Sequence, residues 1–93
     1  MGEDVSVIIP AYNESDCILR TLEGLKGMES IKEIIVVDDG STDSTYKLLK
    51  PLADIKLLKN EYNKGKGSAV RHALDHVTGS FVALLDADIC ESA

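Results

Sequence analysis

No apolar run in the chain approaches the ~18 residues that a membrane-spanning helix needs, and no basic-then-apolar leader opens it. Neither a spanning segment nor a cleaved leader is therefore expected. Basic residues are also in short supply. Ten Lys and Arg stand against 16 Asp and Glu, a net charge of -6, which argues against nucleic acid or an anionic membrane surface as the partner. A phosphorylated small ligand stays open, because a few local basic groups, backbone amides and a metal ion can hold one. Cysteine is scarce: Cys17 and Cys90 lie far apart and form no CxxC pair. They are expected to be free thiols in a reducing compartment, which places the chain in the cytoplasm. Internal repeats, linkers and low-complexity tracts are missing, so the 93 residues are expected to form one domain.

What is present is ordinary for a folded α/β domain, with 44% hydrophobic and 28% charged residues. Val5 to Pro10 (VSVIIP) is a β-branched run closed by proline and reads as a buried strand. Asn13 or Ser15 can cap the helix that follows, in which Ile18, Leu19, Leu22 and Leu25 recur at helical spacing. Ile31 to Val37 is a second strand. A second helix, with Leu48 and Leu49 on its core side, ends before Pro51. Ile55 to Leu58, flanked by lysines, reads as a short edge strand. Val70, Ala73, Leu74 and Val77 give a third helix an apolar stripe, and Gly79 stops it. The last strand, Phe81 to Leu85, is continuously apolar and is expected to be buried on both faces. Strands and helices thus alternate, which implies a mainly parallel sheet with right-handed crossovers and helices on both faces.

The polar clusters follow the strands. Pro10 to Glu14 succeed the first, Asp38 to Asp43 the second, Lys64 to Gly67 open the helix after the third, and Asp86 and Asp88 end the fourth. Ligands of such sheets bind beyond the carboxyl ends of the strands. One site is therefore expected, with carboxylates for a metal or for ribose and base donors and with basic and amide groups for phosphate. Asp86 and Asp88, two apart in extended chain, point the same way, with small Ala87 between them. Hard oxygen ligands of this kind suit Mg²⁺ or Mn²⁺. The GKG segment does not complete a P-loop, and the stretch from Gly65 to Val70 is no dinucleotide fingerprint, since valine replaces its last glycine.

Taken together, VSVIIPAYNE, IIVVDDGSTD, NKGKGSAVRHAL and LLDAD resemble, in this order and spacing, the nucleotide-binding half of family 2 glycosyltransferases. The GKGSAVRHAL segment is most similar to the polyprenyl-phosphate (dolichyl-phosphate) hexose synthases among them. The resemblance implies a GT-A fold: a three-layer, Rossmann-like, mostly parallel sheet of four strands in the order 3-2-1-4 with three helices. It implies a UDP- or GDP-sugar donor, Mn²⁺ or Mg²⁺ as cofactor, and inverting hexosyl transfer. Pro10, Ala11, Tyr12 and Glu14 would then line the nucleoside pocket. Asp39 would accept a hydrogen bond from the base, while Asp38 supports the loop. Lys66 and Arg71 would lie near the base or diphosphate. Asp86 would face the ribose or a metal-bound water, and Asp88 would ligate the ion. Members of that family continue past the DxD strand into an acceptor-binding half. On this reading the catalytic base lies beyond residue 93, and the chain is a donor-binding segment without turnover of its own. An acceptor on a prenyl phosphate would bring a longer parent to the cytoplasmic face of a membrane.

Rival readings are a receiver-like phosphoacceptor domain, which VVDDG suggests, a phosphohydrolase using DxD, and a non-catalytic binding or assembly remnant. The first would need its acidic pair after the first strand, and the second would want Thr or Val where Cys90 stands. Asp43 is read as a helix-start residue, and His72 and His76, at i and i+4, as an exposed helix face in preference to a zinc pair. The apolar last strand is expected to offer a free edge through which copies associate.

Overall fold

The structure, a computed structural model, describes residues 4–87. These form β1 (Val5–Ala11), α1 (Ile18–Glu23), β2 (Ile31–Asp39), α2 (Thr45–Leu49), β3 (Lys56–Asn60), α3 (Lys66–Leu74) and β4 (Phe81–Leu84). All neighbouring strands pair in parallel, in the order β3-β2-β1-β4. The expected architecture and strand order are both found.

Handedness explains the layering. The chain steps from β1 to β2 to β3 in one direction, so right-handed crossovers put α1 and α2 on the same face. It then returns across the sheet to β4, which puts α3 on the other. Both central strands are consequently covered twice, and their side chains divide by parity. Val7, Ile9 and Val36 pack with Ile18, Leu22 and Leu49 under α1 and α2. Ile8, Ile35 and Val37 pack with Ala69 and Ala73 under α3. The alanines keep that helix close to the sheet.

Several local expectations are corrected. Asn13 and Ser15 do not cap α1, whose N-cap position is Cys17 with no side-chain cap bond. Leu19 and Leu74, expected on apolar faces, are 43% and 49% exposed. For α3 the buried line is Ala69 and Ala73, with Val70 and Val77 packed beside them. The last strand is not buried on both faces. Phe81 is 57% exposed and Leu84 60%, because β4 is an edge strand that no helix among the described residues covers. Cys17 is disulfide-bonded and not the free thiol expected; Cys90 lies outside the described residues. Distance along the chain misled here, since the fold brings the end of β4 onto α1, where the Thr21 hydroxyl donates to the Ala87 carbonyl at 2.8 Å.

The amino-end rim carries a polar cluster that no motif revealed. Glu33 on β2 accepts from Lys56 Nζ at 2.6 Å, from the Ser6 hydroxyl and from the Thr78 backbone N–H at 2.7 Å. Burial by itself would raise the Glu33 pKa. The donors from Lys56, Ser6 and Thr78 overcome it and hold the carboxyl at about 2. Gly79 N–H donates to Ser6 Oγ, so the turn into β4 is fastened to β1 and β2 through this cluster.

Candidate functional site

Strand order reverses beside β1, which has β2 on one side and β4 on the other. The segments that leave the carboxyl ends of the strands border a crevice there. A cavity of about 360 Å³ lies at that point, lined by Pro10, Ala11, Tyr12, Glu14, Asp39, Asn63, Gly65, Lys66, Asp86 and Ala87. Each of the four sequence motifs contributes to its wall. Of the described residues that the resemblance assigns to the donor or the ion, Arg71 is not among them.

Arg71 lines a separate shallow cleft with Asn60, Lys64, Ser68, His72 and Asp75. It stands five residues after Lys66, which turns its side chain by ~140° around the helix from the cavity. Asp88 lies outside the described residues.

The loops around the cavity hold one another. Asn13 takes the left-handed conformation (φ 54°), and its Oδ1 accepts from Thr42 N at 2.8 Å and Asp43 N at 3.3 Å. The turn after β1 is thereby tied to the loop after β2. Asp43 accepts from the Thr45 N–H at 2.9 Å and the Thr45 hydroxyl at 2.6 Å, as a helix-start residue does. Its burial would raise the pKa, but the Thr45 and Ser15 donors lower it to about 2. Asp38, fully buried, accepts from Ser41 N through Oδ1 at 3.2 Å and supports the loop as expected. Its Oδ2 has no partner among the described residues. Gly40 has φ +78°, and a Cβ there would stand 2.4 Å from the Tyr62 carbonyl carbon. Only glycine lets the Tyr62–Asn63 backbone lie directly over the β2 turn.

That close approach serves Asp39. Its Oδ1 accepts from Asn60 Nδ2 at 2.7 Å and Lys64 N at 3.1 Å, and its Oδ2 accepts from Gly65 N at 2.9 Å. The carboxylate is 3% exposed yet forms part of the cavity wall. Across the mouth, Lys66 Nζ meets Asp86 Oδ1 at 2.9 Å with both side chains mostly exposed. Such a pair is weakly held and open to exchange. Asn60 and Asn63 were missed by the sequence reading. Asn63 stood beside the GKG segment and offered a signal, whereas Asn60 ends a strand and offered none.

Would a divalent ion fit? Asp86 presents a hard, solvent-accessible oxygen at the edge of a cavity with room for phosphate. Mg²⁺ and Mn²⁺ bind through one or two carboxylates and complete their shell with water and phosphate oxygens. Among the described residues no group of three or more His, Cys, Asp or Glu is arranged to hold a metal. The donor set therefore suits an ion that arrives with a phosphorylated ligand. No zinc pair is needed for His72, whose Nδ1 is 2.9 Å from Asn60 Oδ1 while its ring meets His76 edge-on.

A parallel α/β sheet with a polar cavity at its switch point defines a small-ligand-binding domain of the nucleotide-binding kind. The model of glycosyl transferase family 2 matches residues 6–92, and the chain belongs to that family. It is 38% identical to a dolichyl-phosphate beta-glucosyltransferase of Dictyostelium discoideum, over 90% of this chain and 30% of that protein. It is 40% identical to an Escherichia coli UDP-Glc:alpha-D-GlcNAc-diphosphoundecaprenol beta-1,3-glucosyltransferase, over 92% of this chain and 36% of that one. The chain thus spans about a third of the length of these curated relatives. Among solved structures, a mannosyltransferase from Pyrobaculum calidifontis in complex with GDP-Man and Mn²⁺ superposes with a TM-score of 0.82 at 32% identity, covering 95% of this chain and 28% of that one. The glucosyl-3-phosphoglycerate synthase of Mycobacterium tuberculosis with Mn²⁺, uridine diphosphate and glucosyl-3-phosphoglycerate gives 0.76 at 28% identity, over 92% and 34%. The fold is that of these GT-A transferases.

Proposed function

We propose that the chain is the donor-binding domain of an inverting hexosyltransferase and takes a UDP- or GDP-sugar together with Mn²⁺ or Mg²⁺. The observation that carries this reading is the single cavity to which all four motifs contribute. Relatives solved with GDP-Man or uridine diphosphate and Mn²⁺ support the ligand class. In this reading Tyr12 packs near the base, Pro10, Ala11 and Glu14 line the nucleoside pocket, and Asp39 accepts from the base. Lys66 turns from Asp86 to the diphosphate, and Asp86 and Asp88 meet the ion, with Ala87 leaving space for the sugar nucleotide. When bound, the ion supplies positive charge next to the leaving diphosphate.

The transfer itself forms a bond from an acceptor oxygen to the anomeric carbon on the face opposite the diphosphate. The carbon–oxygen bond to the diphosphate breaks, its electron pair leaves with the nucleoside diphosphate, and the configuration inverts. The acceptor's proton, where it has one, passes to a base outside residues 1–93, so this chain alone binds donor without turnover. Relatives named for dolichyl phosphate and undecaprenyl phosphate make a polyprenyl phosphate the acceptor class we favour, which would bring the work to a membrane face. Among the described residues no helix is long and apolar enough to cross a membrane.

A receiver-like domain places β3 beside β1, whereas here β1 lies between β2 and β4. Calorimetry with UDP, GDP and their sugars tests the proposal. Binding that needs Mn²⁺, disappears with a chelator and is abolished in Asp88→Ala is expected. Absence of binding by every nucleotide, or labelling by acetyl phosphate, overturns it.

A further inference from the structure

We propose that Thr21 of α1 is a positioning residue for the acidic turn after β4: its hydroxyl fixes the Ala87 backbone and so sets where Asp86 stands at the cavity mouth. The inference rests on the donor-binding reading above and deepens it. β4 by itself holds that turn loosely. It is a four-residue edge strand with Phe81 and Leu84 exposed and no covering helix among the described residues. Just past it, Leu85 N donates to the Ile8 carbonyl at 3.0 Å. Asp86 then carries an exposed pair with Lys66, a hold that is given up when Lys66 turns to a diphosphate. Ala87 is held by something that a ligand leaves in place.

Ala87 lines the cavity and at the same time packs into the core cluster of Ile18 and Leu22, on either side of Thr21 along α1. Its carbonyl accepts from Thr21 Oγ1 at 2.8 Å, with Thr21 3% and Ala87 4% exposed. A threonine hydroxyl on a helix ordinarily turns to a carbonyl three or four residues back. This one reaches a residue 66 positions further along the chain. The direction of the bond is settled by chemistry, since a carbonyl only accepts and the hydroxyl has one hydrogen to give. Cys17 Sγ, 3.7 Å from Thr21 Oγ1, is disulfide-bonded and has no hydrogen to offer in exchange. Without the hydroxyl, the Ala87 carbonyl would be left in a place water does not reach, and the turn would shift to find another donor.

Such a shift reaches the site directly, because Asp86 is the next residue and neighbouring Cα atoms are held about 3.8 Å apart. A small divalent ion tolerates little of it: Mg²⁺ demands near-ideal octahedral geometry at about 2.0–2.1 Å. Groups that orient a ligating side chain without touching the ion typically change metal affinity by about 10- to 100-fold when they are removed. Thr21 lies in none of the four motifs and does not border the cavity, so it acts through Ala87 alone. A residue that served stability and nothing else would lower the fraction of folded chain. A positioning residue raises the ion concentration that the folded chain needs.

Calorimetric titrations of the 93-residue chain with UDP and GDP, repeated over a series of Mn²⁺ concentrations, separate these outcomes. Thr21→Val keeps the shape and removes the donor. It is expected to raise the Mn²⁺ concentration for half-maximal nucleotide affinity by about tenfold, whereas Thr21→Ser, which keeps the hydroxyl, is expected to stay within about twofold of the unmodified chain. Damage to the fold would reduce the number of binding sites per chain and leave that concentration unmoved. Thr21→Ala removes the same donor and takes the place of the valine variant if circular dichroism shows the latter unfolded. An unchanged Mn²⁺ requirement in a folded variant without the hydroxyl, or a rise in Thr21→Ser as large as in Thr21→Val, overturns the inference and leaves the donor-binding reading standing. Failure of both nucleotides to bind the unmodified chain overturns the donor-binding reading and this one with it.

Discussion

The two rims of one sheet use carboxylates in opposite ways. At the amino end Glu33 is enclosed by donors from its own chain: Lys56, Ser6 and Thr78 occupy its oxygens, and the result is a fastening between β1, β2 and the turn into β4. At the carboxyl end Asp39 and Asp86 border a cavity, and the partners they have are incomplete or weakly held. The same residue class thus serves stability where the chain supplies all its donors, and ligand binding where it withholds some. Position relative to the cavity separates them: Asp39, although buried, forms part of the cavity wall and Asp86 is exposed at its mouth, whereas Glu33 meets donors from its own chain.

Four changes test or sharpen that contrast. The largest effect belongs to Gly40→Ala, where a Cβ would stand within 2.6 Å of the Tyr62–Asn63 backbone at φ +78°. A loss of roughly 3 kcal/mol or more is expected from the clash and the left-handed strain, together with loss of nucleotide binding. Unchanged thermal unfolding by circular dichroism would refute the close approach. Next comes Asp86→Ala, which should weaken Mn²⁺-dependent nucleotide binding by about a hundredfold while moving stability by less than about 0.5 kcal/mol. A stability loss as large as that from a rim fastening would show that the carboxyl rim is also structural.

Glu33→Gln is the mirror case, with a cost of roughly 2 kcal/mol in urea unfolding and no change in nucleotide affinity. Its pH signature follows from the lowered pKa. A depressed acid stabilises the fold fully above its unfolded value near 4.5 and loses that contribution as pH falls toward about 2. The unmodified chain should therefore weaken on acidification through this window, and the variant should weaken less steeply. A parallel pH slope in both would remove Glu33 from the account. The smallest effect concerns the β4 edge, a strand without charge or proline that leaves Phe81, Val82 and Leu84 exposed. Self-association is expected at micromolar concentrations in sedimentation velocity, and Val82→Lys should shift it toward monomer at a cost under about 1 kcal/mol. Concentration-independent sedimentation of the unmodified chain counts against this.

Much of the site was legible because its residues sit in contiguous motifs at strand ends. Pro10 to Tyr12, Asp39, Lys66 and Asp86 could be placed on one rim once the elements were known, since parallel strands send all their carboxyl ends the same way. Arg71 could not. Its distance from the cavity depends on where α3 begins, and a shift of a residue or two turns a side chain through the better part of a right angle or more. Glu33 was invisible for a different reason, as its partners come from β1, β3 and the turn before β4 and share no local pattern.

Alternation of apolar runs with amphipathic stretches determined the element order, and the handedness of parallel crossovers then left few topologies, of which β3-β2-β1-β4 is the one found. Those are local and chiral properties, carried by side-chain period and backbone sterics. Tertiary structure alone decided the disulfide state of Cys17, the exposure of β4, the Asp39–Asn60–His72 chain and the Glu33 cluster. Each depends on which residues of distant segments end up opposite one another, and that register is set by packing of the whole sheet, which no stretch of sequence contains.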